Sequence, residues 1–115
     1  MKIVDKPWGK EVWIAHNDRY AGKCIFIKKG YKLSKQYHKK KHETMWFISG
    51  KAIIEVGDEI INYEQITDDL NCIITIPPNK IHRIEALEDT RLIEFSSPEL
   101  DDVVRLEDDY GREDK

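Results

Sequence analysis

The sequence consists largely of short apolar segments separated by turn-forming residues, and none of the segments has a long helical pattern. Ile, Val, Phe and Trp, which are enriched in β-strands, are concentrated in these segments. Turn signals occur at Lys29-Gly30, Ser49-Gly50, Gly57-Asp58 and Pro77-Pro78-Asn79. The pattern predicts an all-β sandwich or barrel. Strands are predicted at 11–15, 23–29, 33–38, 44–49, 51–56, 59–63, 71–76, 82–87 and 91–96.

Length and charge limit the classes of protein to which the chain can belong. Its 115 residues predict one domain over 1–115 with a core of its own. Segment 98–106 has room for a helical turn or two, and we expect the acidic tail 107–115 to be mobile. The net charge of −3 gives no electrostatic basis for binding nucleic acid or a membrane surface. No apolar run approaches the length of a membrane span.

The cysteines and the N-terminal segment predict a cytoplasmic protein. Cys24 and Cys72 each lie in an apolar run, so we expect two reduced core residues, with a disulfide between them not required. The first seven residues have no apolar stretch of the kind found in a secretory signal peptide.

Polar residues and glycines recur at fixed spacings in the middle of the chain. Gly30 is followed after five residues by Gln36-Tyr37-His38, after four more by Glu43, and after a further six by Gly50. This spacing resembles the first motif of the cupin superfamily, with Gln36 in the place of a histidine.

A second group of residues has the spacing of the other cupin motif. Asn71 is followed after five residues by Pro77-Pro78-Asn79, and His82 comes two residues later. Asn71 and Asn79 replace glycines of that motif. Together the two motifs imply a cupin jelly-roll barrel, also called a double-stranded β-helix.

The resemblance to cupins implies a metal site with Gln36, His38, Glu43 and His82 as ligands. Alternate residues of a strand share a face, so Gln36 and His38 can point into one cavity. Two histidines, a carboxylate and an amide oxygen suit a divalent cation: zinc, iron(II), manganese, nickel or cobalt. The alternative is that His38 and His82 are ordinary barrel residues.

The two ends of the chain resemble one cupin family in particular. Lys6-Pro7-Trp8-Gly9 resembles the Arg/Lys-Pro-Trp-Gly segment of the mannose-6-phosphate isomerase type II cupin, and 33–38 is similar to its Leu-Ser-Leu-Gln-x-His segment. Residues 101–112 resemble its acidic ending with Asp-x-Tyr-Gly-Arg. In that family the cupin often follows a mannose-1-phosphate guanylyltransferase domain. Nothing in this chain resembles a nucleotidyltransferase, so guanylyl transfer is not implied.

The resemblance implies a metal-dependent isomerase that interconverts aldose and ketose sugar phosphates through an enediol, in sugar-nucleotide or polysaccharide precursor metabolism. The cation would polarise the carbonyl and its neighbouring hydroxyl, and a general base would move the proton. The candidate catalytic residues are Lys40 and His42. Lys40 would lie on the same strand face as Gln36 and His38. The lysines at 39–41 are alternatively a phosphate contact or a solvated turn.

Three other function classes remain open. The first is a non-catalytic cupin that binds a metal or a sugar, and the second is a metal-dependent dioxygenase. The third is a nucleotide-sugar epimerase that works without metal through a His–Asp or Tyr–His pair, and no such pair is assignable in the sequence.

Strand parity also predicts which side chains line the barrel. If Glu43 and His82 point inward, Met45 and Phe47 do so with the first, and Ile84 and Ala86 with the second. Trp46 and Arg83 then face outward or into a partner subunit. Cupins often form dimers, so we expect a homodimer, in which Trp8, Trp13 or Trp46 is covered by the partner; packing within one chain is the alternative for each.

Overall fold

The computed structural model describes residues 1–66 and 72–112. Within these ranges the chain forms ten β-strands and no helix. All the strand pairs are antiparallel. The strands are β1 Lys2–Lys6, β2 Gly9–His16, β3 Ala21–Ile27, β4 Lys35–Tyr37, β5 Glu43–Val56, β6 Glu59–Ile66, β7 Ile73–Ile76, β8 His82–Ala86, β9 Thr90–Ser96 and β10 Val104–Glu107.

The strands form two curved layers that share β5. The first layer has the order β1-β2-β3-β9-β5-β7, and the second has the order β10-β4-β8-β5-β6. The N-terminal part of β5 pairs with β9 and β7, and its C-terminal part pairs with β8 and β6. The candidate site lies between the two layers, close to the point where β5 begins.

One long strand replaces two of the predicted ones. Segments 44–49 and 51–56 are parts of β5, and the turn predicted at Ser49-Gly50 is wrong. Gly50 adopts φ 108°, and register shifts flank it on both ladders. A glycine in this conformation lets the strand pass from one layer to the other without reversing direction.

The inward faces follow the predicted parity. Glu43, Met45 and Phe47 are all buried on β5, as are His82, Ile84 and Ala86 on β8. Their neighbours Trp46 and Arg83 are only half-buried. The parity prediction is therefore confirmed for the inward-facing residues, but it is wrong for Arg83, whose side chain lines the cavity between the layers. The core is continued by buried apolar side chains from other strands, including Ile25, Ile27, Ile54, Ile76 and Leu92.

Both ends of the chain contain strands that the sequence did not predict. Lys2–Lys6 pairs with β2, and Val104–Glu107 pairs with β4. The helical turns predicted at 98–106 are wrong, because short turns occupy its first half and β10 its second. The predicted mobility of the tail stays a prediction, and residues 113–115 lie outside the described part of the chain, as does Asn71.

The tryptophans and cysteines divide between the interior and the surface. Trp8 is buried in the core, Trp13 lines the cavity between the layers, and Trp46 is half-buried on the outer side. No disulfide joins the cysteines; Cys72 belongs to the core, whereas Cys24 has the outward parity of β3 and is not a core residue.

Among the described residues there is no helix of sufficient length and apolar character to span a membrane.

Candidate metal centre

Three of the predicted ligands meet at one point between the layers. The Nε2 atoms of His38 and His82 lie 3.4 and 3.1 Å from Oε1 of Glu43. One potential ligand atom from each residue lies within 4.8 Å of the others. All three residues are buried, with 3–4% of their surface exposed. This spacing leaves room for a single ion at the centre of the group.

Backbone carbonyls orient both imidazole rings. Nδ1 of His38 is 2.5 Å from the carbonyl oxygen of Asp102, and Nδ1 of His82 is 2.9 Å from that of Lys80. Because a carbonyl only accepts hydrogen bonds, each Nδ1 carries a proton, and in a neutral ring the Nε2 lone pair then faces Glu43. Metal-binding histidines are usually oriented in this way.

The donor set fits a divalent cation. Two Nε2 lone pairs and a carboxylate oxygen face each other, and such a group needs a positive charge between them, either protons on the rings or a metal ion. Although burial favours the neutral acid, hydrogen bonds from His38 and His82 hold the pKa of Glu43 well below its ordinary value. An ionised carboxylate with two imidazoles suits zinc, iron(II), manganese, nickel or cobalt.

Gln36 lies next to this group and completes the predicted set. It pairs with His82 across β4 and β8, and it lines the same cavity as His38, Glu43 and His82. Its Nε2 donates a 3.4 Å hydrogen bond to the carbonyl of Ser34, which leaves Oε1 as the atom able to contact a cation. The structure thus brings all four predicted residues to one cavity, and their role as metal ligands stays a prediction.

The loop between β4 and β5 determines which lysine points inward. The carboxylate of Asp102 accepts hydrogen bonds from the backbone N–H groups of Lys39, Lys40 and Lys41 at 2.6–3.1 Å. This arrangement curls the loop, so strand parity ends before it. Lys41 is buried, whereas Lys40 is exposed. The expected shared face of Lys40, Gln36 and His38 is therefore wrong.

His42 also lies outside the cavity. Its side chain is exposed, and its backbone N–H donates to the hydroxyl of Ser97 at 2.9 Å. Neither Lys40 nor His42 lines the space beside the candidate ligands. The catalytic roles predicted for these two residues have no support from their positions.

A row of buried charged side chains extends from the candidate ligands along the first layer. Nζ of Lys41 lies 3.1 Å from Glu43 and 3.2 Å from Glu94. Lys23 lies 3.8 Å from Glu94 and 3.2 Å from Glu11. Burial and the charge of Glu43 raise the pKa of Glu94 to about 7. Burial alone would lower the pKa of Lys41, but the two carboxylates raise it.

The sequence contains a pattern that indicates this row of buried charges, although the row is not part of the cupin motifs. Lys23 and Glu94 occupy inward positions of predicted strands, on the same faces as buried Ile25 and Leu92. An ionisable residue at such a position must have a charged partner or a ligand, because an isolated buried charge is costly. Strand pairing supplies the partner, since Lys23 is directly opposite Glu94.

The cavity has a volume of about 310 Å³ and a mixed, mostly polar lining. Its charged residues include six lysines or arginines and four carboxylates, so the lining carries an excess of two positive charges with neutral histidines. The whole chain has a net charge of −3. The cavity is therefore more basic than the protein that surrounds it, which favours an anionic small molecule.

Comparison with known proteins identifies the family to which the sequence is similar. The sequence profile of the family described as "Mannose-6-phosphate isomerase C-terminal" matches residues 1–108. The mannose-1-phosphate guanylyltransferase of Salmonella muenchen is 34% identical over 113 residues, covering 94% of this chain and 23% of that protein. The chain thus spans about a quarter of the length of the curated relatives that it matches.

Solved structures show the same fold. The capsular polysaccharide assembling protein CapF from Staphylococcus aureus has a TM-score of 0.71 and 26% identity, over 92% of this chain and 34% of that one. An RmlC-like cupin from Shewanella frigidimarina has a TM-score of 0.73 and 19% identity, over 86% and 85% of the two chains. These similarities confirm the predicted cupin jelly roll.

Proposed function

The chain belongs to the mannose-6-phosphate isomerase C-terminal family, and on that premise we propose that it is a metal-dependent sugar-phosphate isomerase. Its substrates are an aldose phosphate and the matching ketose phosphate, with mannose-6-phosphate and fructose-6-phosphate the first pair to test. The activity belongs to the synthesis of sugar nucleotides or polysaccharide precursors. The names of two similar proteins, a mannose-1-phosphate guanylyltransferase and a capsular polysaccharide assembling protein, support this setting.

The observation that carries the proposal is the convergence of His38, Glu43 and His82 in a basic cavity. The fixed tautomers direct both Nε2 atoms to the carboxylate, and Gln36 lies beside them. A divalent cation held by these residues would supply Lewis acidity toward the carbonyl and hydroxyl oxygens of the sugar. The basic lining would attract the phosphate group of the substrate.

Lys41 and Glu94 are two charged residues that lie beside the candidate ligands. The ammonium of Lys41 lies 3.1 Å from Glu43 and can hold positive charge close to an oxygen that becomes negative during proton transfer. Glu94 lines the cavity, is not one of the predicted ligands and lies within ion-pair distance of Lys41 and Lys23; its carboxylate is the proposed group that carries a proton between neighbouring carbons. These two residues replace Lys40 and His42 as the candidate catalytic groups.

The proposal is tested by metal analysis and a coupled assay. Protein purified without a histidine tag is analysed for zinc, iron, manganese, nickel and cobalt, and then assayed for fructose-6-phosphate formation from mannose-6-phosphate. We expect Glu43→Gln and Lys41→Met to abolish turnover, since the first weakens the ligand set and the second removes the buried ammonium. Lys40→Met, which removes an exposed charge from the next residue, is the matched control and should keep full activity.

The assay also separates the enzyme from a binding module. Fully metal-loaded wild-type protein that isomerises no member of a panel of hexose phosphates would defeat the enzymatic proposal. Retention of metal and sugar phosphate in that protein would then identify a non-catalytic binding cupin. The homodimer and the cytoplasmic location are separate predictions, which sedimentation and cell fractionation can test.

A further inference from the structure

The two terminal segments of the family resemblance meet at the same cavity. Lys6 comes from the N-terminal segment, and Arg105 and Arg112 come from the C-terminal one; all three line the cavity that contains the candidate ligands. We propose that Lys6, Arg105 and Arg112 form the subsite that binds the phosphate group of the sugar phosphate. This inference rests on the proposed function, because it assigns one part of the same substrate.

Strand pairing places Arg105 at a defined distance from the candidate metal ligands. Arg105 of β10 is opposite Gln36 of β4, which is in turn opposite His82 of β8. Directly paired residues face the same side of a sheet, so these three share the side that faces the cavity. Two strand spacings, about 10 Å, separate Arg105 from His82 at the backbone. A sugar phosphate can therefore place its carbonyl end near His82 and its phosphate near Arg105.

The local charges favour an anion. Lys6, Lys23, Arg105 and Arg112 all line this cavity. Burial lowers the pKa of Lys6, and the charges of Lys23, Arg105 and Arg112 add to this effect, whereas Glu11 opposes it. Lys23 is bound to Glu11 at 3.2 Å.

Asp108 contributes a carboxylate close to the two arginines. Arg112 is bound to it at 2.8 Å, and Asp108 also lies in the field of Arg105. Among the described residues, the lining of the whole cavity has six lysines or arginines and four carboxylates, and this excess of positive charge favours an anion. Arginine forms bidentate hydrogen bonds with phosphate oxygens, and lysine adds a compact charge.

Packed neighbours fix the backbone next to the proposed subsite on both sides. On the N-terminal side, Trp8 is buried and its carbonyl accepts a 2.9 Å hydrogen bond from Lys28. A Cβ at Gly9 would lie 1.9 Å from the carbonyl oxygen of Phe26, so only glycine fits where β2 starts. The turn that follows Lys6 is thus fixed by its neighbours, which restricts where the lysine can reach.

The C-terminal side is fixed in the same manner. Tyr110 donates a 2.8 Å hydrogen bond to the carbonyl of Lys32, and its ring stacks on Tyr31. Arg112 is held by two side-chain hydrogen bonds to Asp108. The family ending therefore has a physical role, because it carries two arginines to the cavity and anchors them there.

The test measures the affinity for mannose-6-phosphate and for mannose by isothermal titration calorimetry, in EDTA-treated protein, where no metal contributes to binding. The variants are Lys6→Gln, Arg105→Gln and Arg105→Lys. The control is Lys51→Gln, which removes a charge from an exposed position outside the cavity. We expect Lys6→Gln and Arg105→Gln each to raise Kd for mannose-6-phosphate about tenfold or more, with Arg105→Lys intermediate and Lys51→Gln unchanged.

A folding control and the activity of the wild type make the outcome decisive. Circular dichroism verifies that each variant is folded; if Arg105→Gln is not, Lys6→Gln and Arg105→Lys decide. Values of Kd within twofold of the control for the folded variants would overturn the subsite, even if the wild type is an active isomerase. An inactive wild type whose binding of mannose-6-phosphate still depends on Lys6 and Arg105 would support the subsite while the isomerase proposal fails.

Discussion

Replacing Lys41 by methionine should destabilise the protein far more than removing the charge of an exposed lysine. The side chain is buried, and its ammonium lies 3.1 Å from Glu43 and 3.2 Å from Glu94. Methionine keeps most of the apolar stem and removes the charge. Two buried carboxylates then face each other with no ammonium between them.

The expected magnitude follows from these distances. At an effective dielectric constant of about 20, each of the two contacts contributes roughly 5 kcal/mol of attraction. The transfer of the ions from water opposes this by several kcal/mol for each ion. Removing one partner from a buried ion pair typically costs about 3–5 kcal/mol of unfolding free energy. For a chain of this length, that loss lowers Tm by about 10–20 °C.

Urea denaturation in EDTA is the appropriate assay, with Lys40→Met as the matched control because its side chain is exposed. We expect the control to change the free energy of unfolding by less than about 0.5 kcal/mol. A double variant that combines Lys41→Met with Glu94→Gln should recover part of the loss, since one of the two unpaired carboxylates is then neutral. Equal stabilities of Lys41→Met and Lys40→Met would refute the role assigned to the buried ammonium.

Three further predictions concern the metal, pH and the backbone. His82→Ala should lose bound metal and with it the stabilisation by metal, about 2.7 kcal/mol at a hundredfold excess over Kd; equal metal content in both proteins would show that His82 is not a ligand. The pKa of Glu94 is raised from 4.5 to about 7. The folded metal-free protein therefore retains a proton that the unfolded chain has released, and its stability should fall as pH rises from about 5 to 7. Glu94→Gln should flatten this part of the pH profile, and an unchanged slope would count against the assignment. Gly50→Ala should cost more than about 3 kcal/mol, because φ is 108° and its Cβ would lie 2.5 Å from the carbonyl oxygen of Asp89. Gly30→Ala, with φ 84° and nothing within 4 Å, should cost about 1–2 kcal/mol, and similar losses of Tm in the two variants would contradict this account.

The sequence predicted the fold class because strand period and motif spacing are local properties. Alternation placed Glu43, Met45 and Phe47 on the inner face, and the structure has them there. The same reasoning failed at Ser49-Gly50, where a glycine that usually marks a turn instead bends one strand between two layers. A turn and a bend have similar local composition, and only the pairing partners on each side distinguish them.

The terminal strands were missed for a related reason. Lys2–Lys6 and Val104–Glu107 are only five and four residues long and contain two apolar residues each, so neither carries enough of a periodic pattern to identify a strand by itself. Each becomes a strand because a neighbouring edge, β2 or β4, offers unpaired backbone groups to it. Such edges exist only after the rest of the sheet has formed.

The sequence by itself determined four of the residues that meet at the candidate centre, since the motif spacing identified Gln36, His38, Glu43 and His82. It could not determine the charges around them. Whether Lys40 or Lys41 points inward depends on three hydrogen bonds from the loop to Asp102, more than sixty residues away along the chain. Contacts between residues so far apart are set by the closure of the two layers. The ligand pattern is therefore encoded locally, whereas the buried charges and the basic subsite depend on which strands pair.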